Sequence, residues 1–269
     1  MKLKCFFVFL LSLVVGLVVY WQGVIPGGDA STRSYVFEMQ AKAGGQAQRT
    51  RMDLSLQDER AVLDSFLLPV EPQAPVQTQK IIAGTKEVTS CNYLTHDCET
   101  NGFKPRPQGD RQLMHEFEFE VIDAKASFAG VPCKKVHYRM DMDIDHTVLK
   151  QTQNVEVEAC FADLDSDLLA AFPQLSVGSG FDNLQGLAAD SFAGFQKVIA
   201  GLTPVYMQVS GTSGLSSALS EELNTDPLPM NSTLKLVSFS SQRVAENTYT
   251  VPKSFKLSQV GQKNGRKDM

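Results

Sequence analysis

The chain has 269 residues, is 43% hydrophobic and 20% charged, and carries a formal net charge of −5. Such a length suits one large or two small domains beyond any terminal segment. The acidic balance argues against nucleic acid and anionic lipid headgroups as principal partners.

Residues 1–23 read as a membrane anchor or signal segment. Cys5 to Trp21 carries no charge and follows Lys2 and Lys4. As a helix it would span about 25 Å, at the short end for a hydrocarbon core of about 30 Å. Lys2 and Lys4 keep the amino end cytoplasmic, and Tyr20 and Trp21 suit the far interface. Gln22-Gly23-Val24-Ile25-Pro26 offers no small-x-small cleavage pattern. The expectation is a single-pass inner-membrane anchor with its domain in the periplasm; the alternative is a cleaved signal and a periplasmic domain. Residues 24–33 read as a linker, 34–257 as one domain and 258–269 as a disordered tail.

The domain begins with an alternating run, Tyr35, Phe37, Met39 and Ala41. Gly44-Gly45 supplies a turn, and Met52, Leu54 and Leu56 alternate back, which predicts a hairpin. A strand is expected near Ala61 to Leu67, a proline-bearing loop from Pro69 to Gln79, and a strand pair from Lys80 to Tyr93. A second polar loop is expected from Glu99 to Gln108. Met114 to Ile122 then alternates, with Phe117, Phe119 and Val121 inward and Glu116, Glu118 and Glu120 outward.

Cys133 to Phe161 is the most decodable stretch. Val136, Tyr138, Met140, Met142 and Ile144 share one face of a strand, and Val155, Val157, Ala159 and Phe161 share one face of the next. Placing Cys133 opposite Cys160 sets Lys135 against Glu158 and His137 against Glu156, opposite charges on the outer face. That register predicts a Cys133–Cys160 disulfide. The exported part holds four cysteines, Cys91, Cys98, Cys133 and Cys160, an even number that reads as two disulfides in an oxidising compartment. Cys91-x6-Cys98 is not a zinc spacing. Asp141-x-Asp143-x-Asp145 has His146 and Thr152 where a calcium loop wants Gly and Glu, so a solvated acidic strand end is expected, with a cation site including His146 as the lesser reading. No metal or cofactor is expected.

Helices are expected only after Cys160. Asp165-Ser166-Asp167 can cap a short helix through Phe172, ended by Pro173. Phe181 to Leu202 sets Leu184, Leu187, Ala188, Phe192, Phe195, Val198 and Ile199 near helical spacing, weakened by Gly186, Gly194 and Gly201. Strands resume at Pro204 to Ser210, Thr233 to Ser241 and Tyr249 to Phe255. The order suggests an α+β fold, an antiparallel sheet with about two helices packed on one face.

Phe128-Ala129-Gly130-Val131-Pro132-Cys133-Lys134-Lys135 resembles the "aG-x-x-C-k-k" strand of a family of secreted bacterial domains of unknown function. Gly201-Leu202-Thr203-Pro204-Val205 and Thr248-Tyr249-Thr250-Val251-Pro252-Lys253-Ser254-Phe255 resemble its "G-x-P" and "lF-x-vP-x-x-y" segments. The resemblance spans Tyr35 to Lys256, and these domains are similar in layout to the LolA-like lipoprotein-carrier fold. It implies a curved half-barrel with helices over the concave side, an envelope location and a hydrophobic cavity. One departure is Cys160, on a strand where that family usually carries an aromatic.

The expected function is a membrane-tethered periplasmic carrier-like module for an apolar ligand, a lipid or lipoprotein acyl chain. The candidate lining residues are Phe117, Phe119, Tyr138, Met140, Met142, Phe192 and Phe195, aromatic and thioether groups that suit apolar contact. The alternative is a structural or adaptor protein of the envelope, acting through protein contacts. An enzyme is not expected. His96, His115, His137 and His146 form no metal or triad spacing, Gly211-Thr212-Ser213-Gly214 is no nucleophile elbow, and no phosphate loop occurs.

Overall fold

The computed structural model describes residues 32–43, 46–57, 59–69, 74–102, 111–145, 150–164, 167–172, 175, 184–186, 188–215, 226–241 and 244–259. The amino-terminal apolar segment lies outside these residues. Among the described residues, no helix is long and apolar enough to cross a membrane.

Alternation of apolar and polar residues runs through most of the domain, and among the described residues these runs pair into a single sheet of thirteen strands. Six successive strands form a meander: β1 (Arg33–Ala43), β2 (Gln46–Gln57), β3 (Arg60–Leu68), β4 (Val76–Gly84), β5 (Glu87–Asn92) and β6 (Asp97–Gly102). A second meander holds β7 (Arg111–Phe128), β8 (Val131–Asp145) and β9 (Lys150–Ala162). β11 (Thr203–Leu215) and β12 (Leu228–Ser241) join the two, with β11 beside β9 and β12 beside β1. Two short strands run parallel to their neighbours: β10 (Leu184–Gln185) beside β7 and β13 (Lys256–Gln259) beside β6.

This architecture corrects the α+β expectation. One α-helix, α1 (Ala189–Ile199), is found among the described residues, and the sheet is mixed rather than purely antiparallel. The expected first helix is a five-residue 3-10 turn, Asp167–Ala171, a stretch too short to repay helix nucleation. The expected second helix begins late. Gly186 has φ of 118°, outside helical space, and a β-carbon there would overlap the Met114 carbonyl oxygen. The chain there runs tight against β7 as β10 instead. The expected strand at Tyr249 to Phe255 is a 3-10 turn (Glu246–Tyr249) and an irregular stretch before β13. The two expected loops are strand in part, since Val76 opens β4 and Glu99 lies in β6; residues 70–73 and 103–108 lie outside the described residues.

Directly paired residues share a face, so register shows where the apolar surface lies. One row runs Val136, Ala159, Met207, Leu234 and Met39, from β8 to β1. Another runs Leu54, Leu63 and Ile81, from β2 to β4. From β7 to β12 the alternate row is polar, as in Glu118, Arg139, Glu156, Ser210 and Asn231, whereas on β2–β5 the row Ser55, Val62, Ile82 and Thr89 holds a fully buried Val62. The apolar side buries two clusters. The larger joins Phe37, Leu54, Leu63, Ile81 and Leu236 to Leu168 and Leu169 of the 3-10 turn and to Phe172 and Leu175 after it. The smaller lies between β7–β9 and α1.

Both disulfides form, Cys91–Cys98 and Cys133–Cys160. Cys91 and Cys98 are directly opposed on β5 and β6. The β8–β9 register differs from expectation by two residues: Lys135 faces Cys160, His137 faces Glu158 and Arg139 faces Glu156. The expected contacts nevertheless occur, because they run along diagonals. Lys135 reaches Glu158 at 3.0 Å and His137 reaches Glu156 at 2.9 Å, with the disulfide on the same diagonal. The right-handed twist of paired strands shortens one diagonal of each cross-strand quartet. Cys133 and Cys160 are also buried and belong to the larger apolar cluster, although Lys135, His137 and Arg139 continue the Cys133 face of β8 with charge.

Candidate apolar-ligand site beneath the helix

β7, β8 and β9 supply the floor of the site and α1 its roof. On β7, Phe117 is buried and Phe119 half-buried. Directly opposite, β8 places Met140 against Phe117 and Tyr138 against Phe119. β9 extends the floor with Val155, Val157, Ala159 and Phe161. From above, Phe192, Phe195 and Ile199 of α1 reach down, spaced by three and four residues and therefore on one helical face.

Phe195 is the hub, with no exposed surface. Its ring centroid lies 4.9 Å from Tyr138, 5.3 Å from Phe117, 5.5 Å from Phe119 and 6.2 Å from Phe161. Phe192 meets Phe117 edge-on at 5.2 Å, the arrangement that ring quadrupoles favour. Six of the seven expected lining residues thus meet in one cluster. Met142 is buried further along β8, opposite Met114. Phe161, Val157 and Ile199 complete the cluster without having been singled out. Their signal was present in the alternation of β9 and the helical spacing of α1, but neither ranks one inward residue above another.

Polar anchoring of the roof is sparse. Ala188 at the helix start makes no side-chain cap. Gly201, with φ of 73°, ends the turn that follows the helix. The Lys134 ammonium of β8 donates to the Val198 carbonyl oxygen at 3.0 Å, bonding the last turn of α1 to the sheet. A cation there also complements the negative end of the helix dipole. Inside the cluster, burial pushes the Tyr138 phenol well above its ordinary range.

The other polar groups fall elsewhere. His115 lies 3.1 Å from Asp143, His137 bridges Glu156 at 2.9 Å and Glu120 at 3.7 Å, and His96 stacks on Phe255 at 5.2 Å. His146 lies outside the described residues, and among these no group of three metal-ligating side chains converges. On β3, desolvation raises the Asp64 carboxyl above its ordinary range, against the opposing pull of Lys80 at 3.8 Å and a hydrogen bond from Gln77 at 2.6 Å. An open groove of about 290 Å³ is lined by Glu38, Arg49, Thr233 and Lys235, with Glu38 lying 3.7 Å from each of the two cations.

No protein-family model matches the chain, and no curated protein matches it. Among solved structures, an uncharacterized conserved protein from Thermus thermophilus matches at 10% sequence identity with a TM-score of 0.35, over 84% of this chain and 90% of that one. A likeness of that size assigns this chain neither a fold nor a function.

Proposed function

We propose that this protein is a binding module of the cell envelope that takes an apolar ligand, a lipid or an acyl chain, between α1 and the β7–β9 floor. The observation that carries the reading is the aromatic and methionine cluster closed by one short, weakly capped helix. A roof of eleven residues can lift without unpairing a strand, and aromatic rings adapt to an apolar guest by re-stacking. The Tyr138 hydroxyl, within the cluster, gives such a guest one hydrogen-bond donor, suited to a carbonyl or carboxyl oxygen. The charge-free segment behind Lys2 and Lys4 supports tethering at the membrane, and two disulfides suit an oxidising compartment such as the periplasm.

Native mass spectrometry of protein purified from membranes, followed by lipid extraction, tests the reading. The expected result is a bound lipid that Phe195→Trp displaces. A protein that emerges empty, and that takes up no lipid from vesicles, overturns it.

A further inference from the structure

Among the described residues β7 carries a free edge. Over most of its length its one described neighbour is β8; on the other side, of the described residues, Gln112 and Leu113 alone are paired, to Leu184 and Gln185 of β10. From His115 to Phe128 no described strand lies on that edge. The backbone N–H and C=O groups along it are a template for another strand. The usable part is bounded by two register shifts, one at Met114/Glu116 and one at Val121/Asp123. Between them Glu116 to Val121 is regular, a run of about 20 Å at some 3.4 Å per residue.

The side chains along this run define what fits. Glu116, Glu118 and Glu120 project from one face of the strand. Val121 and Ile122, at 41% and 49% exposure, stand uncovered at the end of the run. Across β8, Arg139 and His137 face Glu118 and Glu120, whereas Glu116 faces Asp141, so an acidic excess remains at the His115 end. A second copy of the chain is a poor occupant. Pairing two β7 edges sets glutamates of both copies on one face, and like charges across a strand pair destabilise it.

We propose that the Glu116–Val121 edge of β7 takes up an extended segment of a partner protein, with basic residues at alternate positions and apolar residues between them. Main-chain bonds supply the attachment, the glutamates select the cations, and exposed Val121, on the opposite face, takes the apolar side chains. This inference is independent of the lipid reading, since it uses the outer edge rather than the space beneath α1.

The test uses the full chain and a synthetic octapeptide alternating Lys and Val, with a second version N-methylated at every other residue along one edge. Fluorescence anisotropy reads binding, and hydrogen exchange reads the β7 amides. The expected result is protection confined to Glu116–Val121 and binding at least tenfold weaker for the N-methylated peptide. In the variant E116K/E118K/E120K, preference should switch to an alternating Glu–Val peptide. Equal binding of the methylated peptide would mean simple charge attraction and overturn the proposal, as would absence of binding or protection placed elsewhere. If the triple variant does not fold, the methylated peptide on the native chain still decides.

Discussion

Phe195→Ala probes the roof of the site most directly. Phe195 has no exposed surface and touches rings from β7, β8, β9 and α1 itself. Replacing a fully buried phenylalanine by alanine costs about 3–5 kcal/mol, and the lost ring pairs belong to that figure. If α1 opens as a unit, the loss falls on α1 alone. The opening constant then rises by roughly a hundred- to several-thousandfold, since about 1.4 kcal/mol is a factor of ten. Hydrogen exchange with peptide-level readout checks this. Amides of α1 should exchange faster by that factor, while those of β1–β4, which pack in the other cluster, should keep their native rates. A uniform loss of protection in α1 and in β1–β4 would refute a separately opening roof. Unchanged exchange in α1 would refute Phe195 as its anchor.

Other outcomes follow from the same contacts. Lys134→Met removes the bond to the Val198 carbonyl, about 1.5–3 kcal/mol for a charged donor, and should loosen the last turn of α1 in hydrogen exchange without changing the circular dichroism of the sheet. Replacing Cys133 and Cys160 together by alanine opens a loop with a sequence separation of 27 and should lower stability to denaturant by about 3–4 kcal/mol. The same change at Cys91 and Cys98, with a separation of 7, should lower it by about 2–3 kcal/mol. Asp64 binds its proton more tightly folded than unfolded, because desolvation raises its folded pKa. Its contribution to stability is therefore complete below the ordinary carboxylate pKa and is lost as pH rises through the folded value. Asp64→Asn should flatten the denaturation midpoint against pH in that window; an unchanged profile would refute the assignment.

Much of the site was legible because period-two patterning is local. Tyr138 and Met140 had to share a face of β8, and Phe117 and Phe119 a face of β7, whatever lay above them. The Cys133–Cys160 bridge was legible because charge and cysteine positions agree along one line between two strands. The twist made that line a diagonal, so the bonded partners were right and the direct register was two residues off. The Lys134 bond to Val198 had no sequence signal, since a lysine in a strand points to no particular carbonyl. The extent of α1 was hidden too. Helical spacing continues upstream to Leu184, but Leu184 and Gln185 pair with β7 and Gly186 takes a φ of 118°, outside helical space.

By itself the amino-acid sequence determined most of the strands, most of their inward residues (Val121, expected inward, is exposed), the oxidisable cysteines and the apolar amino-terminal segment. Each is set by neighbouring residues through side-chain periodicity, charge and hydrophobicity. Tertiary structure alone decided that, among the described residues, thirteen strands join one mixed sheet, a single α-helix is found and β7 keeps an open edge. Those outcomes depend on which distant strands win each pairing. A strand carries the same alternation whether it lies inside a sheet or at its rim, so only the completed pairing reveals where the edge falls.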